Sequence, residues 1–280
     1  MLLDAVAALR CPVCREALQL QDEGQQGLAC HNGHVFDAAK QGYFNLLTGK
    51  GTAFEADSSD MVAARHRFLE AGHYRPLAEK VAQSVAGSLR GPDARVLDAG
   101  TGTGYYLHAV LQESSASAIG LDISKFALRR AARKNPQAAN LVWDIWRDLP
   151  LADNTVDAIV VVFAPRNPPE FARVLRPGGK LTVVTPLPGH LAEIAQRAGM
   201  LSIEEGKAER LAESMRGHFT PVGGSNLEIP LKLSGHDARD LAFMGPAGHH
   251  LLPEDLDGLA ESSGTVTATA RFRLSEFILS

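Results

Sequence analysis

The sequence predicts an α/β domain with a mostly parallel sheet over residues 91–280, and three observations carry the prediction. From Arg95 onward, short apolar runs alternate with helical stretches, the pattern of a parallel sheet with helices on both faces. The run Ala158-Ile159-Val160-Val161-Val162-Phe163 is apolar throughout, as a strand buried on both faces requires. Between the first apolar run and the first helix stands a glycine-rich turn, Gly100-Thr101-Gly102-Thr103-Gly104, which delivers bare backbone to a helix N-terminus.

Composition sets outer bounds. The chain has 280 residues, 45% hydrophobic and 21% charged, enough for one large domain with an appendage. Net charge is −4, so a nucleic-acid partner has to be met by local basic patches rather than bulk charge. No apolar run approaches the ~20 residues that span a bilayer. Met1–Arg10 contains Asp4 and lacks a basic start, so it reads as a short helix and not a signal peptide. The three cysteines lie at 11, 14 and 30; an odd, clustered set points to a metal site in a reducing cytoplasm rather than to disulfides.

Taken in order, residues 1–40 form a metal-binding module. Cys11-Pro12-Val13-Cys14 sets two thiolates on one side of a tetrahedral ion, and Cys30 with His34 supplies the other two ligands. Gly24 and Gly27 suit a hairpin between the pairs. His31 competes for the fourth position but sits too close to Cys30 to share an ion with it comfortably. Four protein ligands close the coordination shell, so the zinc is structural. A segment with so few large apolar residues needs such a staple to fold. The bland alternative is three free cysteines in an apolar cluster.

Residues 41–90 read as a linker and helices. Val35–Gly51 carries Phe36, Tyr43 and Phe44, aromatics for packing on the metal module or on the next domain. Phe54–Ser59 reads as a mobile linker whose Asp57-Ser58 end offers caps for a helix over 61–69. A second helix runs from Leu77 to Leu89.

In the 91–280 domain, strands are expected at 95–99, 118–121, 140–143, 158–163 and 180–184. Helices are expected at 105–113, after Asp122, at 170–175, from His190 to about Ala198, and over 204–217. Arg176-Pro177-Gly178-Gly179 reads as a turn. Asn226–Leu233 and Val266–Ile278 read as an antiparallel pair that closes the sheet, with a helix at 237–244 between them. Lys125, Arg129, Arg130, Arg133 and Lys134 make the best basic patch in the chain, either a solvated helix face or an RNA contact.

The chemistry of the turn follows from its acids. Asp98 ends the first strand, where a carboxylate repels a pyrophosphate but suits an ammonium group. The glycines also miss the dinucleotide spacing G-x-G-x-x-G, since Tyr105 stands where the third would fall. S-adenosylmethionine (SAM), cationic and without phosphate, fits both facts; a tight turn without a ligand is the alternative. Asp122 lies 22 residues after Gly100, at the end of the second strand, within reach of ribose hydroxyls. Asp144, or the backbone beside it, can take the adenine amino group, with Ile145 or Trp146 against the ring. Asn167-Pro168-Pro169 superficially resembles the N-P-P-aromatic motif of amino-group methyltransferases. Glu170 in the fourth place makes it a loop and helix start instead.

Assembled, these residues resemble a specific family: class I SAM-dependent methyltransferases that modify guanine N1 in a 23S rRNA hairpin, closest to the branch conferring tylosin-type macrolide resistance. The resemblance is carried by C-P-V-C with C-x-x-x-H, Gly33-His34-Val35-Phe36-Asp37, Gly42-Tyr43-Phe44-Asn45-Leu46-Leu47 and Asp60-Met61-Val62-Ala63-Ala64-Arg65. Gly72-His73-Tyr74, Asp98 to Gly104, Phe163-Ala164-Pro165-Arg166-Asn167-Pro168-Pro169-Glu170 and Leu175-Arg176-Pro177-Gly178-Gly179 complete it. It implies a Rossmann-like, seven-stranded, mostly parallel sheet, a cytoplasmic enzyme, Tyr74 and His190 in the cofactor pocket, and a homodimer whose zinc modules help grip RNA. The loop that follows the fourth strand borders the methyl position, so Phe163, Ala164 and Pro165 are expected against the target base. No general base is legible. A small-molecule methyltransferase and a zinc adaptor with a vestigial SAM fold are the rival readings.

Overall fold

The computed structural model describes residues 1–21, 27–49, 51–89, 91–195, 206–251, 253–260 and 264–280. The chain opens with helix α1 (Leu2–Ala7) and a three-stranded antiparallel sheet of β1 (Leu18–Leu20), β2 (Gly27–Cys30) and β3 (Val35–Asp37). There follow β4 (Tyr43–Asn45), α2 (Ser59–Glu70), α3 (Arg75–Ala86), β5 (Arg95–Ala99), α4 (Tyr105–Glu113), β6 (Ser117–Asp122), α5 (Lys125–Lys134), β7 (Ala139–Val142) and β8 (Val156–Val162). The remainder is α6 (Pro168–Val174), β9 (Leu175–Pro186), α7 (Ala192–Ala195), α8 (Lys207–Met215), β10 (Phe219–Leu233), α9 (Gly235–Phe243), α10 (Asp257–Ala260) and β11 (Val266–Leu279).

The main sheet runs β10-β11-β9-β8-β5-β6-β7-β4, parallel from β9 to β4, with β11 antiparallel to both its neighbours. Chain order reverses beside β5, so the crevice beyond the C-terminal end of β5 is the place where such a sheet binds ligands. The period-two alternation of β5 feeds both faces of the sheet. Val96 joins one core with Phe68, Tyr74, Val81, Leu107 and Phe272; Leu97 joins the other with Leu9, Leu28, Phe36, Ile119 and Phe171. The second core runs without a break from the small sheet into the large one. A bridge between Leu9 and Leu151 reinforces that junction.

Four expectations are revised. The main sheet has eight strands rather than seven, because Tyr43–Asn45 adds in parallel to the β7 edge, with Tyr43 beside Asn140 and Phe44 beside Leu141. That strand covers backbone groups that would otherwise leave an open edge. The 54–59 segment is not a loose linker. Phe54 lies 6.1 Å from Trp146, Asp57 pairs with Arg65, and Ser124 Oγ donates to the Asp57 carbonyl (3.1 Å). Residues 176–179 bulge inside β9 instead of preceding it. Pairing with β8 jumps from Val156–Leu175 to Ala158–Lys180, with Gly178 at φ +80°. Finally, β10 starts at Phe219, seven residues before the expected 226. The Gly24 hairpin position, the helix past Ala195 and residues 204–205 lie outside the described residues.

Ser58 caps α2 by accepting from Met61 N–H (3.2 Å), and α5 buries Ala127, Leu128, Ala131 and Ala132 while its arginines face outward. Gly104 is the N-cap of α4 at φ +77°. A Cβ there would stand 2.7 Å from Asn135 Nδ2 and 3.0 Å from Ala131 Cα. Gly104→Ala is therefore expected to lower the melting temperature by several degrees, for a cost of about 1–3 kcal/mol from backbone strain and overpacking. An unchanged thermal unfolding curve would show that this crossing has slack.

Candidate cofactor crevice and metal centre

Backbone geometry brings the four metal ligands together before any side chain is considered. Cys11 N–H donates to the Glu16 carbonyl (2.8 Å), and Arg15 N–H, at a residue with φ +65°, donates to the Cys11 carbonyl (2.8 Å). On the facing strand, Cys30 N–H donates to His34 O (3.0 Å), and the turn passes through Gly33 at φ +80°. The ligand atoms of Cys11, Cys14, Cys30 and His34 all lie within 4.8 Å of one another. Cys14 Sγ is 3.6 Å from Cys30 Sγ, and His34 Nδ1 is 3.3 Å from Cys30 Sγ and 3.7 Å from Cys11 Sγ. Those spacings match the roughly 3.5–3.8 Å between donors on a tetrahedral zinc ion. Backbone N–H donation from Glu16 lowers the Cys14 thiol to about 6, while burial raises that of Cys11. His31 is exposed and outside the cluster. The identity of the ligating nitrogen, Nδ1, had no signal in the sequence.

In the crevice, Gly100 N–H and Thr101 N–H both donate to the Leu121 carbonyl (2.9 and 2.8 Å), lashing the glycine turn to β6. Gly102 N–H donates to Asp122 Oδ2 and Ser124 N–H to Asp122 Oδ1, each at 2.8 Å. Burial raises the Asp122 carboxyl, and these two N–H groups oppose that rise. Asp98 accepts from the Thr101 hydroxyl on Oδ2 (2.8 Å), while its Oδ1 is buried without a hydrogen-bond partner. Burial pushes Asp98 up to about 7, and Asp122 adds to the rise. Gly100, at φ +90°, is required by Ala164: a Cβ there would fall 2.2 Å from the Ala164 Cβ. Thr103 is buried beneath the turn. Gly102 differs, because its open side looks toward Arg65, whose Nη1 is 3.9 Å from the place a Cβ would take.

Asp144 follows β7 with its carboxylate engaged. Thr52 Oγ1 donates to Oδ2 (2.8 Å) and Trp146 N–H to Oδ1 (3.0 Å). Asn167 Nδ2 donates to the Ile145 carbonyl (2.9 Å), pinning the neighbouring loop. Trp146 is half exposed beside Phe54.

An aromatic wall flanks the crevice. Tyr74 is fully buried, edge-on to Phe68 (5.0 Å) and Phe272 (5.1 Å), and burial raises its phenol. Its hydroxyl is a second buried polar atom without a partner. Phe272 also meets Phe163 (5.4 Å) and His190 (4.8 Å), and Tyr106 lies edge-on to Phe163 (6.3 Å). Arg271 N–H donates to His190 Nδ1 (3.0 Å). Phe163 sits at φ +56° and leaves 47% of its surface exposed, a strained conformation for a bulky residue at a strand exit. Pro165 continues that loop. The sequence had placed none of Phe272, Thr52, Asp57 and Arg65 in the crevice. Phe272 falls on the buried phase of its alternating strand, but no pattern reveals that Pro186 is its cross-strand partner.

The donor set suits SAM. An unpaired buried carboxylate oxygen accepts an ammonium group, a second carboxylate at a strand end faces the turn, and the open side of Gly102 admits a ligand. For the metal, elemental analysis is expected to give about one zinc per chain, falling well below one in Cys30→Ser and His34→Ala and staying at one in His31→Ala. A folded, metal-free wild-type chain would remove the centre.

Residues 96–179 match the family model described as Methyltransferase domain, and residues 9–50 match the model described as RlmA, N-terminal. The 23S rRNA (guanine(748)-N(1))-methyltransferase of Streptomyces fradiae is 46% identical over 90% of this chain and 90% of its own. A Micromonospora griseorubida chain, named provisionally as a 23S rRNA (guanine-N(1)-)-methyltransferase, is 45% identical over 98% of both. Among solved structures, a Bacillus halodurans protein described provisionally as a methyltransferase superposes with a TM-score of 0.51 at 16% identity, covering 72% of this chain and 97% of that one, a likeness of fold. Identity of this order across nearly the whole length of both chains leads to one conclusion: the chain belongs to the family of 23S rRNA (guanine-N(1))-methyltransferases.

Proposed function

We propose that this chain transfers a methyl group from SAM to N1 of a guanine in a 23S rRNA hairpin, the base corresponding to the one named for the Streptomyces fradiae relative. The observation that supports it is a likeness spanning both the metal module and the crevice, where a glycine turn alone would identify only a superfamily.

SAM supplies an electrophilic methyl on a sulfonium; the N1–methyl bond forms as the sulfur–methyl bond breaks, and the N1 proton leaves to solvent. The chain's part is positioning and desolvation. Asp98 receives the ammonium, Asp122 the ribose hydroxyls, and the turn formed by Gly100, Thr101, Gly102, Thr103 and Gly104 meets the cofactor at the open side of Gly102. Asp144 or its adjoining backbone reads the adenine amino group, with Tyr74 and His190 lining the pocket. The target guanine has to be unpaired to offer its N1 edge, and it lies against Phe163, Ala164 and Pro165. The exposed Phe163 ring, backed by Phe272, is a stacking surface of the right kind.

Phosphates of the hairpin find cations on α5. A groove of about 270 Å³ is lined by Arg129, Arg130 and Arg133 with Phe126, Gln41 and Ser59. Lys134 is committed to Glu70 (2.7 Å). A homodimer that joins two zinc modules on one RNA, a cytoplasmic location and protection against tylosin-type macrolides extend the same proposal.

Three outcomes are expected. Labelled methyl from SAM goes to unmodified 23S rRNA and maps to a single guanine N1. Arg129→Glu with Arg130→Glu weakens RNA binding about tenfold or more and flattens its salt dependence. Label on small molecules alone, or on nothing, would refute the function, and an unaltered salt slope would return α5 to solvent. The third outcome concerns pH. Near an ammonium, Asp98 must be ionised, so below pH about 7 binding releases a proton and SAM affinity falls by up to about tenfold per unit. Calorimetry between pH 5.5 and about 7, below the titration of the ligand's own α-amino group, should show this slope in the wild type and none in Asp98→Asn. A flat wild-type profile would take Asp98 off the ammonium.

A further inference from the structure

One charged group over the glycine turn has no part in the scheme above. Arg65 projects from the second turn of α2, one-quarter exposed. One end of its guanidinium, Nη1, pairs with Asp57; the other, Nη2, donates to the Met244 carbonyl (2.6 Å). Asp57 is itself tied down, with its Oδ1 3.4 Å from His249 Nε2 and its carbonyl accepting from Ser124. This clamp holds Arg65 at the open side of Gly102, where its Nη1 is the one heavy atom among the described residues within 4 Å of the missing Cβ, neighbours in the chain aside. Its charge acts on Asp122 and on Tyr106, the same tyrosine that feels Asp98. Arg65 and Asp122 thus meet the same residue, Gly102, whose N–H donates to Asp122 Oδ2 (2.8 Å), and Asp122 in turn acts on Asp98.

The charge pattern of the crevice is lopsided. Asp98, Asp122 and Asp57 converge there, and they suit the ammonium and sulfonium of SAM. They repel its carboxylate, which is bonded to the same carbon as the ammonium and has to lie beside Asp98. A cation offsets that repulsion and gives the carboxylate charge-assisted hydrogen bonds. A guanidinium carries five N–H groups, and Arg65 has one engaged with Asp57 and one with Met244, so it can take a further carboxylate without leaving its clamp. We propose that Arg65 is the receptor for the α-carboxylate of the cofactor's amino-acid tail, and that it makes the crevice select ligands bearing that group. The inference rests on the crevice being the SAM site and goes beyond it by naming the residue that sets selectivity.

Calorimetric titration with SAM and with decarboxylated SAM, which keeps the ammonium and sulfonium, separates the two levels. Wild-type protein should bind SAM about tenfold or more tightly than the decarboxylated form. Arg65→Gln should bring the two within about threefold by weakening SAM alone, and Arg65→Lys, a point charge without the fork, should restore part of the preference. Equal weakening of both ligands in Arg65→Gln would make the residue a structural clamp and overturn the proposal. A preference that survives Arg65→Gln would place the carboxylate elsewhere and overturn it too. Wild-type protein that binds both ligands alike refutes the role of Arg65 while leaving the crevice intact. Binding of neither refutes the crevice itself.

Discussion

Three successive backbone N–H groups, those of Gly100, Thr101 and Gly102, are all spent on the end of β6: two on the Leu121 carbonyl and one on the Asp122 carboxylate. The remainder of the site hangs from that lashing. It holds the glycine turn open above the sheet and sets the start of α4. It also presses Gly100 against Ala164, so the loop after β8 is registered against the loop after β5. One carboxylate, Asp98, is thereby buried and a second, Asp122, half-buried at the switch point of the sheet, where charge is costly unless a partner of opposite sign arrives. Asp98 meets that cost with one oxygen on the Thr101 hydroxyl and the other without a partner, and burial raises its carboxyl accordingly.

The metal module is not an appendage tethered by a flexible arm. Its apolar residues, Leu18, Leu28 and Phe36, share a core with Leu97, Ile119 and Leu141 of the main sheet, and β4 extends that sheet. A segment too short to bury its own core thus borrows one face from its neighbour and takes the rest of its rigidity from four ligands converging on one point. Residues 52–57, before α2, then dock on the strand-end loops. Thr52 meets Asp144, Phe54 meets Trp146, and Asp57 meets Arg65, Ser124 and His249. What composition presents as a polar linker is a segment fastened to the strand-end loops and to α2.

Aromatic rings from distant stretches of chain meet in a continuous wall: Tyr74 before α3, Tyr106 in α4, Phe163 after β8, and Phe272 in β11. Backbone strain at Phe163 persists because neighbours on both sides fix the ring, and such strain concentrates at functional positions. The wall and the carboxylates together give the crevice one polar and one apolar flank. That division suits the proposed transfer between a charged cofactor and a flat base.

Much of this was legible in one dimension. Apolar period and glycine punctuation located β5 and α4 to the residue and placed a helix after Asp122, because local sterics and burial act over a few neighbouring positions. The C-x-x-C and C-x-x-x-H spacings named all four metal ligands, since loops that short leave the side chains little choice. The same locality explains the strand-end acids Asp98 and Asp122. Partners far apart in sequence were decided only by the fold. Thr52 to Asp144, Arg65 to Gly102, Phe272 to Phe163 and the edge pairing of β4 on β7 are set by sheet register and by how helices settle on the two faces. No local pattern encodes these, because the free energy that selects them belongs to the assembled core and not to any single segment.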